Sequence, residues 1–379
     1  MAPTGHARTP NARARNVFLT VEDLAHRGSP VTERGVAGAV ADYFGYVEPD
    51  PAAQIALLRR LGYVKRRPLW PTPASAAPPV TLRPTRRGAR AVEGLEEAYY
   101  LTRGLIHGVK SEAFRALCRT RQGLDLCQHG TLTAAQQSAL AEVVAQARPH
   151  RIIDLGCGAG ELGTSLAESC HAGLLGIDRS CTATDYARRQ AAGRGRHGDG
   201  TAERSFRCDD LEAFVQGQKL STGAESCIIV VDAVYWLQDP VAFFERCLEL
   251  LAPGGVLAVL WSEFAERPPG ARTLPWEETG LGSALLAAGG DRGDVRVIAR
   301  DFTEEERAVW VHTPAICAGL EHRFTAEGRL FLLRTLLRAA EHLEEVMRRG
   351  PGARYLLVVS RAQSAGPPPG DVPTAPISR

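Results

Sequence analysis

The sequence predicts an α/β protein built on a doubly wound, largely parallel sheet. Three observations carry that expectation. Ile152, Ile153 and Leu155 read as the end of a buried strand that runs into glycines at 156, 158, 160 and 163, after which a helical pattern begins. From there to Arg361, short apolar runs alternate with helical stretches, the rhythm of strands covered on both faces by helices. Carboxylates close these runs at Asp154, Asp178 and Asp232, on the edge where such sheets bind their ligands.

The bulk numbers set the frame. At 379 residues the chain is long enough for two domains. The balance of 45 Lys and Arg against 43 Asp and Glu gives a net charge of +2, which predicts no polyanion partner. No apolar run is long enough to span a bilayer, and the first residues lack the apolar core of a secretory signal, so a cytoplasmic protein is expected. Nine scattered cysteines with no C-x-x-C spacing suit reduced thiols better than a disulfide framework or a zinc site.

Residues 1–15 are basic, have no apolar period, and read as a disordered tail. An N-terminal domain is expected over 16–130. Within it Ile55, Leu58 and Leu61 recur at helical spacing, Gly62 closes the helix, and Tyr63-Val64 open a strand. After the Pro-rich stretch 68–79, Val80-Thr-Leu-Arg starts a returning strand. This order resembles the winged-helix module. Arg59, Arg60, Lys65, Arg66, Arg67, Arg86 and Arg87 cluster there, which allows a DNA-binding face. The favoured alternative is a module that dimerises the protein into a homodimer or roofs an active site, because the core downstream needs no DNA reader and basic surface runs are usually solvated.

Residues 93–117 then read as helical, with Tyr99 (or Tyr100), Arg103 and His107 able to share one face. That face either lines a substrate pocket or packs in a domain interface. Cys127 and His129 stand in the following loop, too isolated for metal ligands; His129 is a candidate contact to cofactor or substrate. Thr133 and Gln136 form a capping box for the next helix.

The second domain is expected over 131–361. Its strands are read at the residues ending in Asp154, at Ala172–Asp178, Ser205–Cys208, Ser226–Asp232 and Gly255–Trp261, with helices around 161–170, 182–192 and 240–251. The glycine run contains a G-x-G-x-x-G match at 158–163, which by spacing alone allows a dinucleotide. Asp154, two residues before the first glycine, favours instead a ligand carrying an ammonium or sulfonium group, since it would repel a pyrophosphate. Asp178 stands about twenty residues beyond the loop, where an acid accepts ribose hydroxyls.

Acid-x-Gly-x-Gly-x-Gly over 154–160, then Asp178, Asp209 and the Pro253-Gly-Gly turn, in this order, resemble the class I S-adenosylmethionine-dependent methyltransferases over about residues 135–361. The resemblance implies a seven-stranded sheet whose last strand is antiparallel, with S-adenosylmethionine as cofactor. It implies contacts from Asp154, Gly156, Gly158, Gly160 and Asp178, adenine recognition by Asp209 with the backbone of Asp210, and Asp232 facing the transferred methyl group. For Asp209 a turn or helix-cap role is the alternative, since Asp-Asp-Leu-Glu also reads as a helix start. Tyr235 and Trp236 occupy a region where many small-molecule members carry a His, which argues against a metal or a histidine base there.

Val295–Asp301 reads as a sixth strand, with Thr303 capping the helix that follows. Long helices over 304–320 and 325–347 come before a last strand at 354–360, so a helical lid over 303–348 is expected. It offers Trp310, His312, His322, Arg323 and Arg334 toward a substrate. Residues 362–379, rich in Pro, Gly and Ser, read as a disordered tail.

The expected function is methyl transfer to a small-molecule acceptor, in specialised metabolism such as antibiotic biosynthesis, with no membrane, metal or nucleic-acid partner. Candidate catalytic groups are His107, His129, Tyr235 and His312. Two rivals stay open: attack at another carbon of the sulfonium (aminocarboxypropyl transfer or cyclisation), and a winged-helix regulator that binds S-adenosylmethionine as a ligand.

Overall fold

The computed structural model describes residues 11–29, 31–68, 80–88, 99, 104–127, 129–194, 203–217, 225–264, 273–290 and 293–362. The terminal tails (all but 11–15 and 362), the Pro-rich stretch 69–79, and Tyr100 and Arg103 of the expected helical face lie outside the described residues.

A seven-stranded sheet forms the core. Its strands are β3 (Arg151–Leu155), β4 (Gly173–Asp178), β5 (Arg204–Cys208), β6 (Glu225–Val231), β7 (Leu251–Phe264), β8 (Val295–Asp301) and β9 (Gly352–Arg361), in the spatial order β5-β4-β3-β6-β7-β9-β8. Strands β3 to β7 pair in parallel, while β9 runs antiparallel to both β7 and β8. The expected seven-stranded sheet with an antiparallel last strand is what the chain forms. The sheet is dry on both faces: Ile153, Ile228 and Trp261 pack on one side, Ile152, Ile229 and Leu260 on the other.

Two small strands, β1 (Val64–Pro68) and β2 (Val80–Pro84), pair antiparallel beside helices α1 (Ala12–His26), α2 (Glu33–Phe44) and α3 (Pro51–Arg60). The expected tail is shorter than 1–15, because the Asn11 side chain caps α1 at the Ala14 N–H and the helix buries Ala14, Val17 and Phe18. This module does not stand apart. Its core is continuous with the two long helices α12 (Thr303–Ala326) and α13 (Leu330–Arg349), the expected lid. Phe44 stacks on Phe331 at 4.9 Å, and a Cβ on Gly328 would lie only 2.3 Å from the Gly45 Cα. Tyr99 packs edge-on to both Phe44 and Phe331, which makes its face an interface.

Between the module and the sheet lie α4 (Leu105–Val109), α5 (Glu112–Gln122) and α6 (Ala134–Ala147). The single helix expected over 93–117 breaks at Lys110, and Ser111 caps α5 at the Phe114 N–H. Glu327, at the end of α12, accepts from the Ser111 hydroxyl at 2.6 Å and the Ala113 N–H at 2.8 Å, tying the lid to α5. The Thr133–Gln136 capping box is present at the start of α6. Thr303 does not cap α12; its hydroxyl instead accepts the Arg354 N–H at 2.9 Å.

Seven of the nine cysteines are free, but Cys181 and Cys208 form a disulfide, against the expectation of thiols alone. The sequence separation of 27 hides their proximity. Only parallel pairing of β4 with β5, which sets Asp178 opposite Cys208, brings Cys208 beside the start of the next helix, α8 (Cys181–Arg194). No helix of the described residues is long and apolar enough to cross a membrane, and no group of three or more His, Cys, Asp or Glu among them is placed to hold a metal ion.

Candidate active site

A cleft opens at the C-terminal ends of β3, β4 and β6. Its floor is the glycine loop after β3. Gly156 and Cys157 both donate to the Ile177 carbonyl, at 2.8 and 3.0 Å, which folds the loop across the end of β4. Gly156 has φ +88°, and a Cβ there would stand 2.2 Å from the Ala233 Cβ. Gly160 has φ +79°, and a Cβ there would strike the Phe206 ring at 2.5 Å. Each glycine keeps the backbone pressed against a neighbour, with Gly156, Cys157 and Gly158 facing the cleft.

Asp178 lines the cleft at the end of β4. One carboxylate oxygen accepts the Gly158 N–H at 2.8 Å and the other the Ser180 N–H at 2.7 Å. Each oxygen keeps a further lone pair for a ligand hydroxyl. Burial raises the pKa of Asp178, although the two N–H groups and Arg179 work in the opposite direction.

Asp154 is placed differently from the expectation of a ligand contact. It is 3 % exposed, lies off the cleft, and accepts the Gly163 N–H beneath helix α7 (Glu161–Cys170). Burial, reinforced by the charge of Asp178, pushes its pKa up to about 7. Its neighbour Gly163 has no room for a Cβ, which would lie 2.4 Å from the carboxylate. Asp154 therefore braces the loop from below.

The adjacent acids divide their roles. Asp209 pairs with Arg207 at 2.7 Å and does not line the cleft. Asp210 does line it, and caps α9 (Leu211–Gln216) by accepting the Glu212 and Ala213 N–H groups. The helix-start pattern applies to the second acid, and it leaves the first turned aside.

The cleft is also lined by Leu105 and Val109 of α4, Cys127, His129, Gly130, Asp232 and Trp236. His129 stacks on Phe114 with ring centroids 4.7 Å apart. Burial drives its pKa down to about 4, despite a hydrogen bond to the Leu105 carbonyl, so the ring is neutral at physiological pH. Trp236 stacks under the Arg179 guanidinium at 4.1 Å, joining the ends of β4 and β6 across the mouth.

Asp232 directly follows β6 in a left-handed conformation, φ 50°. It pairs with Arg354, and accepts from the Thr131 N–H and the Tyr235 hydroxyl, both at 3.1 Å. Tyr235 in turn accepts the Ser262 N–H at 2.9 Å; its ring is half exposed, and burial and Asp232 raise the pKa of its hydroxyl. Arg354, Ser262, Glu306 and Arg121 were not singled out in the sequence, and Gln136 only as part of a helix cap. Arg354 had one visible signal, a charge at the head of an otherwise apolar strand.

Two other candidate catalytic residues lie elsewhere. His107 bonds the Tyr99 hydroxyl at 3.0 Å at the edge of the N-terminal core and does not line the cleft. His312, like His322 and Arg323, is exposed on the outer face of α12, because the buried stripe of that helix is Glu306, Trp310, Thr313 and Cys317. Trp310 is held inward by Glu306, and Arg334 pairs with Glu321.

Residues 152–255 match a family described as a methyltransferase domain. Two curated relatives are the ubiquinone biosynthesis O-methyltransferases of Chelativorans sp. (strain BNC1) and Neisseria meningitidis serogroup C (strain 053442). The first is 34 % identical over 110 residues, 29 % of this chain and 39 % of the relative. The second is 28 % identical over 113 residues, 30 % of this chain and 44 % of the relative. The chain thus spans about two fifths of the length of these relatives. A solved structure, Haemonchus contortus phosphoethanolamine N-methyltransferase 2 with phosphomonomethylethanolamine and S-adenosylhomocysteine, superimposes with a TM-score of 0.52 at 13 % identity, covering 76 % of this chain and 63 % of that one. The glycine cradle and the strand-end carboxylate of Asp178 fit a sulfonium nucleoside. Residues 152–255 thus match a methyltransferase domain, a family whose cofactor is S-adenosylmethionine.

Proposed function

We propose that the protein transfers the methyl group of S-adenosylmethionine to a small-molecule acceptor in specialised metabolism. The observation that carries this reading is one cleft lined by Asp178 and the glycine loop together with a neutral histidine and an aromatic ring, His129 and Trp236. The cofactor supplies an electrophilic methyl on a positive sulfur. Asp178 holds the ribose, and Gly156 to Gly158 present backbone to the amino-acid part. His129 stays neutral because it is buried, and this avoids setting an imidazolium beside a sulfonium. With its pKa near 4 it is a weak proton acceptor, and its fitted role is to orient an acceptor group by hydrogen bonding. The lid and the N-terminal module share one core, which supports an enclosed site for a small acceptor over an open groove for nucleic acid.

Calorimetry with S-adenosylmethionine and S-adenosylhomocysteine tests the binding half, with micromolar affinity expected. A screen of phenolic, amine and carboxylic acceptors with methyl-labelled cofactor tests the transfer. Label in the acceptor together with S-adenosylhomocysteine supports the proposal. Methylthioadenosine as product replaces it by attack at another carbon, and absence of cofactor binding removes it.

A further inference from the structure

Arg354 is fully buried, at 0 % exposure, on the antiparallel strand β9, directly opposite Ser262 of β7. Its Nη1 donates to Asp232 and, at 3.1 Å, to the Ser262 hydroxyl; its Nη2 donates to Asp232 at 3.2 Å and to Gln136 at 3.0 Å. The pairing with Asp232 is bidentate, a geometry only a guanidinium provides. Burial alone would lower its proton affinity, but Asp232 and Glu306 outweigh it and raise the pKa, so the group is permanently charged.

Asp232 has no capacity left over. One oxygen takes Arg354 and the Tyr235 hydroxyl, the other Arg354 and the Thr131 N–H. It therefore passes on the position that Arg354 gives it, in two directions. Through Thr131 it fixes the loop carrying His129 and Gly130; a Cβ on Gly130 would lie 2.0 Å from the carboxylate. Through Tyr235 it fixes the turn carrying Trp236. Glu306, from the first turn of the lid helix α12, closes the same network by accepting from the Thr131 and Ser262 hydroxyls at 2.9 and 2.5 Å. A buried ion pair is poor evidence of stability, since well-packed apolar residues often do as well; what it fixes is geometry.

We propose that Arg354 is the positioning residue of the acceptor end of the cleft, locking the His129 loop and the Trp236 turn through Asp232 and coupling both to the lid through Glu306. This rests on reading the cleft as a methyl-transfer site. Arg354 itself touches neither the glycine loop nor Asp178, so its replacement reaches the cofactor part of the cleft only indirectly, through Asp232.

The test uses the full chain with Arg354→Lys, whose single ammonium cannot bridge both oxygens and Gln136, and with Asp232→Asn, an isosteric change that keeps fewer of the contacts and serves if the first variant does not fold. Two quantities are read: the titration of the His129 ring by NMR, and the dissociation constant for S-adenosylhomocysteine. Burial holds the pKa of the His129 ring down, at about 4. In either folded variant its proton affinity rises at least tenfold as the loop opens to water; in Arg354→Lys, S-adenosylhomocysteine binds within about threefold of wild type, whereas Asp232→Asn, which alters the cleft lining itself, is read by the His129 titration alone. An unchanged His129 in a folded variant overturns the proposal. So does a parallel loss of S-adenosylhomocysteine binding, which makes Arg354 a general structural residue. If the wild-type protein itself fails to bind S-adenosylhomocysteine, the functional reading falls, and the His129 titration still decides whether Arg354 positions that loop.

Discussion

The Asp178 carboxylate accepts the backbone N–H of Gly158 at 2.8 Å, so the acid that ends one strand holds the glycine loop that follows its neighbour. A single side chain thus joins the end of β4 to the glycine loop on the floor of the cleft. Replacement by Ala removes the acceptor for both the Gly158 and Ser180 N–H groups as well as the proposed ribose contact. Each lost hydrogen bond to a charged group costs about 1.5–3 kcal/mol. Asp178→Ala is therefore expected to weaken S-adenosylhomocysteine at least about 100-fold by calorimetry, and Asp178→Asn about tenfold. Wild-type affinity in the Ala variant would show that the strand-end acid does not bind the nucleoside.

Gly156→Ala tests the floor of the cleft. The backbone is left-handed there, and the new methyl would stand 2.2 Å from the Ala233 Cβ, one residue after Asp232. Backbone strain and overpacking each cost about 1–3 kcal/mol. The variant is expected to lose at least about tenfold in S-adenosylhomocysteine affinity and to melt several degrees lower. Adding Ala233→Gly relieves the clash and leaves the backbone strain, so recovery should be partial. Full recovery would mean that φ at Gly156 is not constrained.

The parts of the site that were legible in the sequence are local ones. Glycines at 156, 158 and 160, an acid closing an apolar run at Asp178, and the Thr133–Gln136 box each declare themselves within a few residues. What was hidden depends on which strands become neighbours. Arg354 meets Asp232 across 122 residues because β9 inserts between β7 and β8. Asp154 keeps the motif spacing, but strand alternation turns its side chain down toward Gly163 and away from the ligand. Asp209 and Asp210 could not be told apart by spacing; the difference came from which one the start of α9 needs as its cap. His312 falls on the solvent side of a helix whose buried stripe is set by contacts with α5 and the N-terminal module.

The Cys181–Cys208 disulfide crosses from the end of β5 to the start of α8, between the segments carrying Asp178 and Asp210. It closes a loop with a sequence separation of 27, which in the chain-entropy estimate stabilises the fold by about 3–4 kcal/mol. Reduction, or Cys181→Ser, is expected to lower the melting temperature by several degrees and to weaken S-adenosylhomocysteine binding at the adenosine edge. Thiol titration of the denatured, never-reduced protein should find the seven free cysteines. Nine reactive thiols there would remove the bond and this prediction together.

Asp154 makes stability fall as pH rises. Its ordinary pKa of 3.8 governs the unfolded chain, while burial holds the folded group near 7. Below pH 4 both states are protonated and the group contributes nothing adverse. Between 4 and 7 the unfolded chain loses its proton first, the folded state binds more protons, and unfolding becomes easier; above 7 the penalty is constant. The shift corresponds to roughly 4 kcal/mol as an upper figure. Asp154→Asn keeps an acceptor for the Gly163 N–H without a charge to bury, so the variant is expected to be more stable than wild type at pH 8 and equal to it at pH 4. Denaturant melts across that range check the slope. Calorimetry should find S-adenosylhomocysteine affinity within about threefold of wild type, because Asp154 lies off the cleft. A large loss of affinity with unchanged stability would return Asp154 to the role of a direct ligand, and would move the charge recognition of the sulfonium nucleoside from the rim of the site to its floor.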